Sequence, residues 1–302
     1  IVEEDFEPLS PAEFTVWDAE HPAPASGEDV EAALLKSMAQ ASDRQMAKAG
    51  REVVAGGVDI LIGRRLPGAV EREKVEKLDQ GDHWRFKDLL KYRGEQVALL
   101  TLHPKAGNGK VAIWADGAGT AALDGPLPKK LLAAGWSVVG LEVLLRGVDV
   151  QPKVANPREY AGFTYGYNAP LFAQRVHDIL TVIAFVSTYE QRPKEIALLG
   201  ANGAGPWVAA ARAQAGAVVT RAVVDTAGFR FGALTAYRHP DFLPGALKYG
   251  DLPAILALSA PHPLWLSGEP PPDAVKAAYA VQPGAVKAVA GLAEAVDLLC
   301  AP

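Results

Sequence analysis

The sequence is poor in the residue types that most directly indicate a chemistry. Cysteine occurs once, at Cys300, so no disulfide can form within the chain. The six histidines are scattered, with no HExxH motif and no Cys/His cluster, so we expect neither a metal site nor a cofactor. The formal net charge of −5 and the absence of a basic run argue against nucleic acid as a partner.

Long apolar runs are also missing. No stretch reaches the roughly 20 apolar residues of a membrane span, so we expect no membrane segment. The opening residues, IVEEDFEPLSP, are acidic and have no apolar core, which is not typical of a signal peptide. Because the chain begins at Ile1, two interpretations stay open. Either a signal has been removed from a secreted or periplasmic protein, or the sequence starts late.

Length and composition indicate a large core. The chain has 302 residues, 49% of them hydrophobic, which is enough for one large α/β domain or for one domain and a smaller lobe. Residues 1–95 form a predicted N-terminal extension, composed of an acidic Pro-rich arm, a helix and short strands. Residues 96–302 form the predicted core.

The core segment alternates apolar strands with amphipathic helices. The predicted strands are VALLTLHP, KVAIWADGAG, WSVVGLEVLL, EIALLG, RAVVDTAG, HPLWLSGE and GAVKAVAG. Near-continuous apolar strands separated by helices are typical of a parallel sheet that is covered on both faces. We therefore expect an α/β fold with a mostly parallel sheet of about eight strands, and a ligand at the carboxyl ends of those strands.

One segment, IALLGANGAGPWVAAARA, predicts a strand, a tight turn and a helix of small residues. It is similar to the nucleophile elbow of the α/β-hydrolases, in which a serine stands in the frame G-x-S-x-G. Here Gly200 and Ala204 are suitably small, but Asn202 stands in the serine's position. We expect Asn202 to lie on a sharp turn with left-handed backbone.

Other segments carry the same resemblance. IWADGAGTAAL, GWSVVGLEVLLRG, GFTYGYNAPLFAQRVHDILTVIAF and LKYGDLPAILALSAPHPLWLSGE resemble stretches of bacterial acetyl-xylan-esterase-like proteins, which are carbohydrate esterases. The resemblance covers about residues 96–302 and implies an α/β-hydrolase fold. It also implies that the loop after KVAIWADGAG is the first oxyanion-hole loop.

The catalytic residues of that family are not all present at the corresponding positions of this sequence. The serine maps to Asn202, the acid maps near Glu269, and the histidine should lie near Ala290 or Gly291, where there is none. Asp225 is a second candidate acid, or else a helix cap. Since a triad depends on all of its members, whether the protein is an enzyme stays open at this point.

Three hypotheses follow. In the first, the chain is a degenerate hydrolase, a pseudoenzyme that keeps a polar pocket. In the second, it is an active ester hydrolase with a rebuilt site, which draws on carboxylates such as Asp116, Glu142, Asp225 and Glu269 with Arg146. In the third, it is a structural lobe of a larger enzyme. The first predicts a pocket for a carbohydrate or ester small molecule. Its predicted lining residues are Asp116, Gly117, Arg146, Asn202, Gly203 and Asp225. In the alternative interpretation Arg146 makes a surface ion pair and the Asp residues cap helices.

Overall fold

The computed structural model describes residues 5–23, 30–145 and 161–301. Contacts divide the chain into two units, Ile1–Arg44 and Gln45–Pro302. The first unit contains a short helix, α1 (Pro11–Phe14), and most of α2 (Val30–Met46). The hydroxyl of Ser10 caps α1 by accepting the backbone N–H of Glu13.

The second unit holds the sheet. Its strands are β1 (Glu71–Asp79), β2 (His83–Tyr92), β3 (Glu95–Pro104), β4 (Lys110–Asp116), β5 (Ser137–Glu142), β6 (Glu195–Ala201), β7 (Arg221–Asp225), β8 (Leu264–Ser267) and β9 (Val286–Ala288). Its helices are α3 (Arg51–Ile62), α4 (Pro126–Ala133), α5 (Ala161–Tyr167), α6 (Leu171–Ser187), α7 (Gly205–Ala215), α8 (Asp251–Ala257), α9 (Asp273–Ala278) and α10 (Leu292–Cys300).

In the described residues the nine strands form one sheet in the order β1-β2-β3-β5-β4-β6-β7-β8-β9. Six neighbouring strands run parallel to one another, namely β5, β4, β6, β7, β8 and β9. This confirms the predicted mostly parallel sheet. β3 differs from the other core strands because it runs antiparallel to both of its neighbours. A tight turn explains this orientation: Arg93 and Gly94, both at positive φ, join β2 directly to β3.

Two features of residues 45–95 bear on the predicted extension. β1 and β2 continue the same sheet beyond β3, so the sheet includes strands on both sides of residue 95. The contacts divide the chain after Arg44. Helix α3 was not predicted, because its adjacent Gly56 and Gly57 disfavour a helix. Its apolar side packs on the core through Val58 and Ile62.

Helices cover both faces of the sheet, as predicted. One apolar cluster joins the sheet to α3, α6, α7, α8 and α9, and a second joins the opposite face to α4 and α10. Contrary to expectation, the segment Ala161–Ser187 is long and apolar enough to cross a membrane by length and composition. Its most apolar window is 78% buried inside the protein, so the position of α6 in the core accounts for its composition.

Candidate functional site

The polar residues chosen from the sequence follow the carboxyl ends of the parallel strands. Asp116 ends β4, Glu142 ends β5, Asn202 follows β6, Asp225 ends β7 and Glu269 follows β8. The carboxyl ends of parallel strands share one edge of a sheet, which is where open α/β sheets bind ligands. Arg146, the remaining polar side chain of the predicted pocket, lies outside the described residues.

Asn202 lies on a sharp turn between β6 and α7. Its φ is +48° and that of Gly203 is +88°. The N–H of Ala204 donates to the carbonyl of Ala201 at 2.9 Å, and α7 begins at Gly205. The predicted left-handed elbow is therefore confirmed, and asparagine suits it because its short polar side chain tolerates this backbone better than most residues do. Both Asn202 and Gly203 are exposed.

Three glycines let the elbow pack closely against its neighbours. A Cβ on Gly205 would lie 1.8 Å from the carbonyl oxygen of Asp225, and one on Gly117 would lie 2.0 Å from that of Asn202. A Cβ on Gly200 would come within 2.9 Å of Val208. These positions require glycine because the backbone of the β4 loop contacts the turn and the backbone of α7 contacts the end of β7.

The carboxylate of Asp116 is the centre of a hydrogen-bond network. It is buried, with 4% of the residue exposed. The side-chain amide of Asn202 donates to both of its oxygens at 3.0 and 3.1 Å, the indole N–H of Trp114 donates at 3.0 Å, and the backbone N–H of Ala118 donates at 2.7 Å. Since these donors occupy the lone pairs of Asp116, its carboxylate braces the elbow against the β4 loop.

The two candidate acids have structural partners as well. Asp225 accepts the backbone N–H of Ala227 at 3.3 Å, which is a local turn contact of the kind expected from a capping Asp. Glu269 makes a two-pronged pair with Arg230, at 2.9 and 2.5 Å. The hydrogen bond from Arg230 lowers the pKa of Glu269, so this carboxylate is held ionised.

Histidine is missing where a triad would need it. In the described residues, the backbone after β9 is occupied by Ala290, whose N–H donates to Glu294, and by Gly291 at the start of α10. His262 precedes β8 at its amino end. His177 is buried on α6 with its Nε2 2.6 Å from the carbonyl of Ile62, so it joins α6 to the end of α3.

A cluster next to the elbow was missed by the sequence analysis. The indole N–H of Trp207, on the first turn of α7, donates to Asp241 at 2.6 Å. The guanidinium of Arg175 lies 4.6 Å from the Trp207 ring centre and 3.3 Å from Asp241. It also donates to the carbonyls of Leu144 and Leu145 at 3.2 Å. Arg175 therefore ties the loop after β5 to the first turn of α7.

A second unpredicted pair lies between the β4 loop and β5. The backbone N–H and the hydroxyl of Thr120 both donate to Glu142 Oε1, at 2.8 and 2.6 Å. A hydroxyl that donates to a carboxylate is the arrangement by which a general base activates a nucleophile. The same contact also fixes the predicted oxyanion-hole loop.

Two tyrosines of α5, Tyr165 and Tyr167, differ in their surroundings. Tyr165 donates its hydroxyl to the carbonyl of Tyr237 and its ring lies 5.4 Å from that of Phe242, so it holds the loop that carries Asp241. Tyr167 is 86% exposed. Among the described residues no group of three His, Cys, Asp or Glu side chains is arranged to hold a metal ion.

Several solved structures that resemble this chain are named as esterases. A candidate acetyl xylan esterase of Bacteroides fragilis NCTC 9343 matches with TM-score 0.57 and 15% identity, over 79% of this chain and 73% of that one. A glucuronoyl esterase of Solibacter usitatus matches with TM-score 0.53 and 15% identity, over 74% of each chain. No protein-family model and no curated protein sequence matches. At these identities the likeness establishes the fold, which is the predicted α/β-hydrolase fold.

Proposed function

We propose that this chain is a degenerate hydrolase, which keeps the elbow as a polar binding turn and does not hydrolyse esters. The observation that carries the proposal is the contact between Asn202 and Asp116 at the nucleophile position. A serine at this position would need a free hydroxyl and a neighbouring base. The asparagine has no nucleophilic group, and its N–H₂ is committed to a buried carboxylate.

The other two triad positions support the same conclusion. Glu269 stands where the family's acid is expected, but its two oxygens are paired with Arg230. No histidine follows His262 in the sequence, so a general base is missing from the strand end that supplies it in the family. A chain without the nucleophile and the base retains only what binding and backbone donors contribute to catalysis.

The ligand we propose is a carbohydrate or a carbohydrate ester. Asn202 and Gly203 are exposed, and they adjoin the amino end of α7. There the N–H groups of Gly205 and Trp207 have no partner within the helix, and Pro206 between them has no N–H. Such a turn offers donors to hydroxyl and carbonyl oxygens. The names of the similar structures, acetyl xylan esterase and glucuronoyl esterase, refer to ligands of this class.

Hydrolysis is tested with nitrophenyl acetate, acetylated xylan and a fluorophosphonate probe. We expect rates indistinguishable from the buffer and no labelled serine, because a missing nucleophile and base remove most of an esterase's rate enhancement. Stoichiometric labelling of Ser259, Ser267 or another serine would show that a nucleophile has been overlooked.

Binding is tested by titrating acetylated and unacetylated xylo-oligosaccharides into the protein. Asn202→Gly keeps the left-handed turn but removes the brace to Asp116 and the side-chain carbonyl oxygen, which can accept a ligand hydroxyl. It should therefore weaken binding by about fivefold, the effect of about one hydrogen bond. Asn108→Gly is the matched control, because Asn108 precedes β4 at the opposite edge of the sheet. If no saccharide binds, the chain is better described as a structural lobe of a larger enzyme.

The rebuilt-site alternative rests on Thr120 and Glu142. The hydroxyl of Thr120 lies 2.6 Å from the carboxylate of Glu142. The two side chains form a hydroxyl–carboxylate pair beside the predicted oxyanion-hole loop. If ester hydrolysis is detected, Thr120→Val should abolish it, whereas Thr188→Val, at the far end of α6, should leave it unchanged. If Thr120→Val kept full activity, this pair would be purely structural.

A further inference from the structure

A large open cavity lies at the edge of the sheet opposite the elbow. Its volume is about 950 Å³, within the range of ligand sites in proteins. Strands β1, β2 and β3 form one wall, and the end of α6 with residues 188–194 forms the other. Gly109, Ser137 and Lys194 place it at the amino ends of β4, β5 and β6, so it is separate from the elbow at their carboxyl ends.

Basic side chains predominate in the lining. The six basic ones are Arg72, Lys74, Lys77, Lys105, Arg192 and Lys194, and the three acidic ones are Glu76, Asp88 and Glu190. This excess runs against the net charge of −5 of the whole chain. A positively charged cavity wall attracts an anion locally, even on a protein whose net charge is negative.

Several of these cations are uncommitted. Arg72 pairs with Asp88 at 2.8 Å, and Lys105 pairs with Asp79 at 2.7 Å. In the described part of the chain, Lys74, Arg192 and Lys194 have no carboxylate within ion-pair distance. Their charges are therefore available to a ligand.

The uncommitted cations stand at two separate ends. Lys74 lies on β1, and Arg192 and Lys194 lie just before β6. Five strand intervals separate β1 from β6, which at about 4.8 Å each is about 24 Å. A single phosphate or acetate cannot reach both ends, whereas an extended molecule with repeated charges can.

Aromatic side chains also line the cavity. Phe86, Phe185 and Tyr189 line the cavity, and the guanidinium of Arg72 lies 5.5 Å from the Phe185 ring centre. Rings of this kind offer apolar contact to the body of an organic ligand.

We infer that this cavity is a second ligand site, for an elongated anion that carries several carboxylate or phosphate groups along its length. The site is independent of the elbow and of the function proposed there. Binding should weaken as salt is raised, because exposed cations provide the attraction.

The test is calorimetric titration of the full chain with three oligomers. Pentagalacturonate and a linear polyphosphate represent the two sources of anionic groups, and maltopentaose is the neutral control. We expect one or both anions to bind and maltopentaose not to bind, and the anion that binds identifies the source. Galacturonate monomer should bind at least about tenfold more weakly than the pentamer, since it engages one end only.

Variants locate the binding. Lys74→Gln and Lys194→Gln should each weaken the preferred anion about five- to tenfold, and Asn202→Gly should leave it unchanged. Lys129→Gln removes the same charge from exposed α4 and should have no effect. The inference would be overturned if neither anion binds. It would also be overturned if Lys74→Gln and Lys194→Gln bind the anion with affinities within twofold of that of Lys129→Gln.

Discussion

Asn202 donates its side-chain amide to both carboxylate oxygens of Asp116, at 3.0 and 3.1 Å. The residue in the nucleophile position is thus a brace between two strand ends. Its backbone keeps the left-handed geometry of an elbow, with φ of +48°. The left-handed geometry of the elbow therefore does not require a serine, because an asparagine adopts it here.

The brace predicts an order of stability among variants of Asn202. Asn202→Gly loses the contact to Asp116 but suits the left-handed turn, so we expect a loss of about 1 kcal/mol. Asn202→Ala loses the same contact and also places a Cβ in left-handed backbone, which costs about 1 kcal/mol more. Urea unfolding checks this order, and equal stability of the two variants would argue against strain at the turn.

Asp116 should matter more to stability than its partner does. Asp116→Ala would leave the buried indole N–H of Trp114 unpaired. With the contacts to Asn202 and Ala118 that are also lost, the cost should be about 2–4 kcal/mol. Asp124→Ala is the matched control, because Asp124 is exposed and should change stability by less than about 0.5 kcal/mol. A similar small change in both would mean that water replaces the lost carboxylate.

Much of the fold follows from local sequence pattern. Apolar runs of strand length, broken by helices, predicted the parallel strands and the two covered faces, and GANGAG predicted the elbow because few residues other than glycine and asparagine tolerate left-handed backbone. Helix α3 escaped prediction because Gly56 and Gly57 lower its intrinsic propensity, whereas its formation depends on packing of Val58 and Ile62.

The site was less predictable, because its contacts join residues that are distant in sequence. Arg175 reads as part of the polar side of an amphipathic helix, yet it contacts Asp241, 66 residues later. Glu269 was identified by its position after β8, but its partner Arg230 lies 39 residues earlier. No local pattern encodes such pairs, since side-chain partners are set by the three-dimensional packing.

A buried carboxyl predicts how stability depends on pH. Burial raises the pKa of Asp178 from 3.8 to about 7, although the N–H of Leu144 donates to it at 2.8 Å. The folded protein therefore binds this proton more tightly than the unfolded chain does. The stabilisation is complete below pH 3.8 and is lost as the pH rises through about 7.

Asp178→Asn should remove that dependence. Relative to the wild type, its free energy of unfolding should rise between pH 4 and pH 8 by about 4 kcal/mol, because the two pKa values differ by about three units at about 1.4 kcal/mol each. The change should be centred below pH 7. Buried His177 is common to both proteins, so its own titration cancels in the difference. Asp124→Asn, at an exposed carboxyl, should run parallel to the wild type. A parallel curve for Asp178→Asn would place the titrating group elsewhere.

The adjacent glycines of α3 should respond oppositely to the same substitution. A Cβ on Gly56 meets no atom within 4 Å, whereas one on Gly57 would lie 2.5 Å from the ring of Tyr249. Gly56→Ala should stabilise the protein by about 0.5–1 kcal/mol through helix propensity. Gly57→Ala should destabilise it by about 1–3 kcal/mol, because the ring must move.

The Tyr249 ring can be tested as the cause by a double-mutant cycle. In a Tyr249→Ala background the space beside Gly57 is open, so Gly57→Ala should then stabilise the helix as Gly56→Ala does. Urea unfolding of the four proteins measures the coupling between the two positions. If Gly57→Ala stays destabilising without the ring, α3 needs a glycine there for a reason other than its packing against Tyr249.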